Sequence, residues 1–193
     1  QAAGFAPRHV FLEEISWSDA YRSFVDGQGK PLRHIFKLYP WEWMMREDYA
    51  PFILEAGKRT QWIEPLWKVL LSNKQLLVVL WELFPDHPNL LPAYADATKF
   101  SDQSYVAKPK LSREGNNIQI VDAKGKTLEQ SDGDYGQEGF VYQQYIDLPE
   151  FDGWRTVIGS WVVGDEPAGI AFRETSTRIT GNMAFYVPHF IKL

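Results

Sequence analysis

The chain has no cysteine among its 193 residues. This absence excludes a disulfide framework, a thiolate nucleophile and a metal site with cysteine ligands. The N-terminal residues also lack the charged and apolar regions of a signal peptide, which favours a cytoplasmic location. The chain begins at Gln1 rather than methionine, and residues 1–4 resemble the end of a helix with Gly4 at its C-cap. We therefore expect this sequence to be a piece of a longer protein.

Long apolar runs and runs of basic residues are missing as well. The longest apolar candidate, residues 76–80, is far too short to cross a membrane. The net charge is −5, and the lysines and arginines are scattered along the chain. These features argue against a membrane or a nucleic acid as partner.

The motifs of several enzyme classes are absent. The sequence contains no Gly-x-x-x-x-Gly-Lys-Ser/Thr loop and no Gly-x-Ser-x-Gly elbow. The four histidines, His9, His34, His87 and His189, are far apart, without the spacing of metal ligands. The sequence therefore predicts neither a Walker-type nucleotide site nor a serine hydrolase, and no metal site within this chain.

Tryptophan, by contrast, is abundant, with eight in the chain. Large rings are most often buried in a core, which is the interpretation we favour for most of them. A substrate groove lined by Trp41 and Trp43 is the alternative.

Apolar periodicity indicates an α+β protein with a helical first half and antiparallel strands in the second. The spacing predicts a helix over about residues 65–84, and strands at residues 8–12 and 32–38. Five further strands are predicted, at residues 105–107, 118–121, 140–146, 156–163 and 168–173. We place the domain boundary after residue 100, between a mixed segment with tryptophan-rich helices (1–100) and an antiparallel lobe (101–193).

The segment from residue 105 to residue 118 delivers Lys108 to the end of a strand, followed by a polar turn with Arg113 and Gly115. Cations and free backbone N–H groups on such a hairpin suit a polyphosphate. A solvated hairpin tip is the alternative from these residues alone.

Two other positions have open interpretations. Residues 140–146 are either an ordinary sheet strand or a hinge whose extended backbone pairs with the edge of an adenine. Arg173, at a strand end, is suited to stabilise a transferring phosphoryl group or to form a surface ion pair with Glu174, Asp165 or Glu166.

Six segments have long and unusual motifs. They are residues 36–44 (FKLYPWEWM), 62–68 (WIEPLWK), 72–74 (SNK), 87–94 (HPNLLPAY), 108–118 (KPKLSREGNNI) and 158–174, which begin with IGSW and end with GIAFRE. Together they resemble the C-terminal half of the synthetase domain in the glutathionylspermidine synthase family. The resemblance covers nearly the whole chain. It implies an incomplete ATP-grasp fold of the permuted glutathione synthetase type.

The resemblance also implies a reaction. It is the ATP-dependent joining of a small-molecule carboxylate, such as a glutathione-like peptide, to an amine such as a polyamine, through an acyl phosphate. The cofactors implied are ATP and Mg²⁺. The family's magnesium ligands, an Arg-x-Asp and a Glu-x-Asn, lie upstream of the region present here, so we expect them outside this chain.

Roles for individual residues follow from motif position. Catalytic roles are implied for Arg113 and Arg173, which would act on the transferring phosphate. Cofactor binding is implied for Lys74, Lys108, Gln143, Gln144, Tyr145, Ile146, Arg178, Ile179 and Thr180. We therefore expect this chain to be part of a ligase. Because it lacks the magnesium ligands, we expect it to be inactive in isolation. The alternative is a non-catalytic module that binds a nucleotide or a polyamine.

Overall fold

The computed structural model describes residue 4 and residues 6–191. The helix end predicted at residues 1–4 lies, apart from Gly4, outside the described residues and stays a prediction. The chain forms two compact units, Gln1–Ser72 and Asn73–Leu193. In the described part of the chain, no helix is long and apolar enough to cross a membrane.

The first unit combines short helices with two small sheets. Its helices are α1 (Trp41–Met44), α2 (Ala50–Ala56) and α3 (Val69–Ser72), with 3-10 turns at Leu12–Glu14 and Leu66–Lys68. Its strands are β1 (Ser16–Ser18), β2 (Ser23–Val25), β3 (His34–Phe36) and β4 (Gln61–Ile63). Strands β1 and β2 pair antiparallel, whereas β3 and β4 pair parallel.

Aromatic rings form the core of this unit. Trp41 and Trp62 meet edge to face with ring centroids 5.4 Å apart, and both are buried with Phe24. Trp17 stacks on Phe52 at 4.7 Å. The expectation of a tryptophan core is thus confirmed at Trp41 and Trp62. It is wrong for the tryptophans at positions 67 and 161, which are 58% and 61% exposed.

Two predicted elements differ from the structure in this part of the chain. Residues 8–12 form no strand, and the Glu14 carboxylate instead accepts the N–H of Phe11 at 3.0 Å ahead of a 3-10 turn. The helix predicted over residues 65–84 is interrupted at Asn73 and Lys74. The Asn73 side chain accepts the N–H of Gln75 at 2.9 Å, and this local bond competes with helix continuation.

The second unit contains α4 (Gln75–Leu83), a 3-10 turn at Ala97–Phe100 and two antiparallel sheets. The strands are β5 (Ala93–Tyr94), β6 (Tyr105–Pro109), β7 (Gln119–Val121), β8 (Thr127–Gln130), β9 (Phe140–Gln144), β10 (Glu150–Phe151), β11 (Trp154–Val163), β12 (Glu166–Thr175) and β13 (Phe185–Val187). The first sheet has the order β5-β9-β6-β7-β8 and the second β10-β11-β12-β13. The expectation of a mixed α/β protein with antiparallel strands in its second half is confirmed.

The chain divides into its two compact units after Ser72, whereas the sequence analysis placed the domain boundary after residue 100. Residues 75–100 belong with the later strands because β5 pairs with β9. In addition, Val78 of α4 packs against Ala93 and Val141. This packing places α4 on the same sheet face as the candidate site.

Candidate functional site

One face of the five-stranded sheet forms the floor of a cavity of about 340 Å³. Directly opposed residues of antiparallel strands share a face, and the register aligns Gln143, Val106, Ile120 and Glu129 across β9, β6, β7 and β8. Lys108, two residues from Val106, lies on the same face. The strand alternation therefore explains why these side chains meet.

The cavity brings together all nine residues for which a cofactor role was predicted. They come from four separate parts of the sequence and are Lys74, Lys108, Gln143, Gln144, Tyr145, Ile146, Arg178, Ile179 and Thr180. The other lining residues are apolar or glycine, namely Leu91, Val106, Gly115, Ile118, Ile120 and Leu148. The site therefore combines a few polar groups with an apolar surround, as small-molecule sites do.

Both lysines of the cavity donate hydrogen bonds to uncharged oxygen atoms. The Lys108 ammonium group donates to the Gln143 side-chain oxygen at 2.7 Å. Burial lowers the pKa of Lys108 because a cation is poorly solvated there. The Lys74 ammonium group donates to the carbonyl and the hydroxyl oxygen of Ser112, at 2.8 and 2.9 Å. An anion in the cavity would meet a desolvated cation at Lys108.

The segment after β9 has one open backbone position. Gln144 donates its N–H to the Pro92 carbonyl at 2.9 Å, and Tyr145 donates to the Ser104 carbonyl at 3.0 Å. Among the described residues, neither the N–H nor the C=O of Ile146 makes a hydrogen bond. Of residues 144–146, Ile146 is therefore the one whose backbone N–H remains available to a ligand.

Gly115 lets two loops approach closely at the cavity. Its φ is +74°, a left-handed value that favours glycine. A Cβ atom there would lie 3.0 Å from the Thr180 carbonyl oxygen and 3.1 Å from Cγ2 of Ile179. Glycine is therefore required here by both backbone conformation and space.

The two residues with predicted catalytic roles do not line the cavity. Arg113 is exposed on the loop that follows β6. Arg173 donates to the Gly181 carbonyl at 2.8 Å, and its guanidinium lies 5.6 Å from the centre of the Tyr186 ring. In the part of the chain described, Arg173 makes no ion pair, and its buried Nε has no hydrogen-bond partner. The guanidinium thus lies beside the loop that closes the cavity.

Asp147 and Arg155 form a polar network that the sequence analysis missed. Buried Arg155 pairs with Asp147 at 3.3 Å and with Glu150 at 2.6 Å. Asp147 also accepts the Tyr145 hydroxyl at 2.7 Å, and Arg178 Nε lies 3.7 Å from its second oxygen. The one available signal in the sequence was Arg155 itself, because an arginine inside a strand of β-branched and aromatic residues indicates a buried charge that needs partners.

The network alters the titration of its members. The hydrogen bond from Tyr145, aided by Arg155, lowers the pKa of Asp147. Burial, together with the bond to Asp147, raises the pKa of Tyr145 to about 12. Both groups therefore keep one protonation state across the neutral range.

We expect Asp147→Asn to make the free energy of unfolding depend less steeply on pH in the acid range. Because the folded pKa lies below the unfolded value of about 3.9, the stabilisation is present above that value and is lost as pH falls through the folded pKa. The Asp147 side chain is 47% exposed, so solvent screening limits the effect to about 0.5–1 kcal/mol.

Thermal unfolding from about pH 7 down to about pH 2 measures this effect. The midpoints of Asp147→Asn and the unsubstituted chain should differ at neutral pH and converge in acid. Asp165→Asn is the matched control, because Asp165 makes no ion pair among the described residues. Equal profiles for all three proteins would contradict the prediction.

The described residues contain no group of three or more His, Asp or Glu side chains arranged to hold a metal ion. None of the described residues that line the cavity is an Asp or a Glu, so the lining offers no carboxylate of the kind that usually holds Mg²⁺.

The fold and the cavity define a mixed α/β protein whose site suits a small anionic ligand. Comparison with known proteins gives the family. The sequence model "Glutathionylspermidine synthase preATP-grasp" matches residues 1–192. The chain therefore belongs to the glutathionylspermidine synthase preATP-grasp family, which confirms the resemblance found from its motifs.

Relatives of this chain are named as ligases or synthetases. A putative acid–amine ligase of Haemophilus influenzae is 43% identical over 97% of this chain and 49% of its own length. Trypanothione synthetase of Crithidia fasciculata is 31% identical over 81% of this chain and 27% of its own length. The bifunctional glutathionylspermidine synthetase/amidase of Escherichia coli is 29% identical over 89% of this chain and 31% of its own length. The chain thus spans about half or less of these relatives.

Proposed function

We propose that the Asn73–Leu193 unit binds ATP in this cavity, and that the whole protein is an ATP-dependent carboxylate–amine ligase. The observation that carries the proposal is the meeting, in one cavity, of Lys74, Lys108 and residues 143–146 and 178–180. These positions come from distant parts of the sequence, and they are the ones for which the family resemblance implies nucleotide binding. A family whose named members are ligases supports the same activity.

The residues of the cavity fit the parts of ATP. The ammonium groups of Lys74 and Lys108 would oppose phosphate oxygens, and the desolvated cation of Lys108 would gain most from such an anionic partner. The open backbone of Ile146 offers a donor and an acceptor to the edge of adenine. Gly115 lines the cavity and allows its loop to pack closely against Ile179 and Thr180, which would border the same nucleotide.

The arginines would act where negative charge develops. ATP supplies the phosphoryl group that a carboxylate oxygen of the acid substrate accepts, with ADP leaving. Arg173, with its Nε atom unpartnered beside the cavity loop, would stabilise charge on the phosphoryl oxygens during that transfer. Arg113, on the exposed loop, would reach the same group when the loop closes.

The second half of the reaction forms the amide. The nitrogen of the amine attacks the carbonyl carbon of the acyl phosphate, the carbon–oxygen bond to phosphate breaks, and the amine loses a proton. We propose a glutathione-like peptide as the acid and a polyamine-like molecule as the amine, in keeping with the names of two relatives. Mg²⁺ is expected to be held by residues outside this chain, where the family resemblance places its ligands, and the described lining of the cavity itself contains no carboxylate.

Calorimetric titration of ATP into the 193-residue chain, with and without Mg²⁺, tests the nucleotide site. We expect ATP to bind, and we expect no amide product when a peptide and a polyamine are added. GTP should bind more weakly, because its base presents a different donor and acceptor pattern to the Ile146 backbone. Failure of ATP to bind at millimolar concentration would contradict the proposal.

A further inference from the structure

Glu129 of β8 holds the backbone of the loop that borders the cavity. Its Oε2 atom accepts the N–H of Arg178 at 3.0 Å, and its Oε1 atom accepts the N–H of Ile179 at 3.0 Å. The two donors are 49 and 50 residues away in sequence. One carboxylate therefore fixes two consecutive peptide groups of a loop that lines the site.

The sheet register directs Glu129 toward this loop. Glu129 is opposite Ile120, a lining residue, and so lies on the cavity face of the sheet. The register shifts between Ile120 and Val121, which leaves Leu128 as an extra residue in β8. Such a bulge re-aims the neighbouring side chain. At the edge of the sheet, Glu129 thus extends past the cavity floor to the loop beyond it.

The two hydrogen bonds from the loop to Glu129 are charge-assisted. A hydrogen bond from a backbone N–H to a carboxylate is about twice as strong as one between neutral groups. Two such bonds to adjacent peptide groups set both the position and the orientation of the loop. Each oxygen of Glu129 accepts one N–H group of this loop, so both ends of the carboxylate are engaged with the loop backbone.

We propose that Glu129 is a positioning residue, which keeps Arg178, Ile179 and Thr180 in the conformation that nucleotide binding requires. This inference rests on the proposed function, since it assigns a role within the same site. Glu129 acts through the loop backbone and does not touch the nucleotide.

The substitution Glu129→Gln separates positioning from a simple charge effect. The amide nitrogen of glutamine is a donor, so one backbone N–H of the loop loses its acceptor and faces another donor. Positioning therefore predicts ATP binding about tenfold weaker. A charge effect predicts the opposite sign, because removing a carboxylate near the phosphates strengthens their binding.

Two further variants complete the test. Glu129→Asp keeps both carboxylate oxygens on a shorter side chain. It should bind ATP more tightly than Glu129→Gln, because the aspartate still offers two acceptors to the loop N–H groups at a longer distance. Glu166→Gln removes an exposed carboxylate in the turn region between β11 and β12, and it should leave the affinity for ATP unchanged. Circular dichroism and thermal unfolding verify that each variant is folded.

A second readout does not depend on nucleotide. In the unsubstituted chain the amide protons of Arg178 and Ile179 should exchange slowly with solvent in NMR spectra, and Glu129→Gln should accelerate the exchange of at least one of them. Faster exchange together with weaker ATP binding would support the positioning role.

The possible failures are distinguishable. Unchanged or tighter ATP binding by a folded Glu129→Gln, while the unsubstituted chain binds ATP, would overturn the positioning role and leave the proposed function intact. Absence of ATP binding by the unsubstituted chain would overturn the proposed function and the nucleotide-linked role together. Unchanged amide exchange in the variant would show that the carboxylate does not hold the loop, and would overturn the inference by itself.

Discussion

Lys108→Ala is expected to weaken ATP binding by about a hundredfold, which corresponds to about 2.7 kcal/mol. The Lys108 ammonium group lies in the cavity, where burial already lowers its pKa. Among the described residues it has no carboxylate partner, and it donates to the neutral oxygen of Gln143. Binding of a phosphate would therefore provide the anionic partner that the folded chain alone does not.

Calorimetric titration of ATP into the variant measures the loss. Lys108→Met is a useful companion, because it keeps the apolar stem while removing the charge, and it should lose as much affinity as the alanine variant. Lys124→Ala is the matched control, since Lys124 is exposed in the turn between β7 and β8. Equal affinity of a folded Lys108→Ala and the unsubstituted chain would exclude Lys108 from the nucleotide site.

Trp41→Ala is expected to lower the free energy of unfolding of the first unit by about 3–5 kcal/mol. Trp41 is 1% exposed and packs in the aromatic core of that unit. The Lys37 ammonium group also lies 4.5 Å from the centre of its ring. Removal of the indole would leave a large cavity and end this cation–π contact.

Trp43→Ala provides a control two residues away in the same helix. Trp43 is 37% exposed and contacts Tyr39 edge to face at 5.4 Å, so its removal should cost about 1 kcal/mol. Urea unfolding followed by circular dichroism compares the two variants. Similar losses for both would contradict a core role for Trp41.

The loop containing Gly115 agrees with the sequence prediction in its local structure but not in its packing. The sequence predicted a basic strand–loop–strand hairpin there, and β6 and β7 pair antiparallel as expected. The sequence did not predict that the loop would pack against residues 179–181. That contact depends on chain segments far apart in sequence, which local patterns do not report.

Helix α4 shows the same limit in another way. Its apolar spacing predicted one helix over residues 65–84, because periodicity records which face is buried and not where each backbone group is bonded. In the structure the N–H of Lys74 donates to the Lys110 carbonyl at 2.8 Å, and the helix begins again at Gln75. The break places Lys74 at the cavity, where its side chain reaches Ser112.

The sequence by itself determined the family, the antiparallel character of the second half and the residue types that gather in the cavity. Those properties depend on long motifs, on strand alternation and on local turn chemistry, all of which are written along the chain. The tertiary structure alone decided that Glu129 holds the backbone of Arg178 and Ile179, and that Asp147 links Tyr145 to Arg155. A carboxylate has no sequence signature that distinguishes a solvated surface position from one that accepts two N–H groups. Its partners are chosen by sheet register and by the path of a distant loop, so they appear only once the chain has folded.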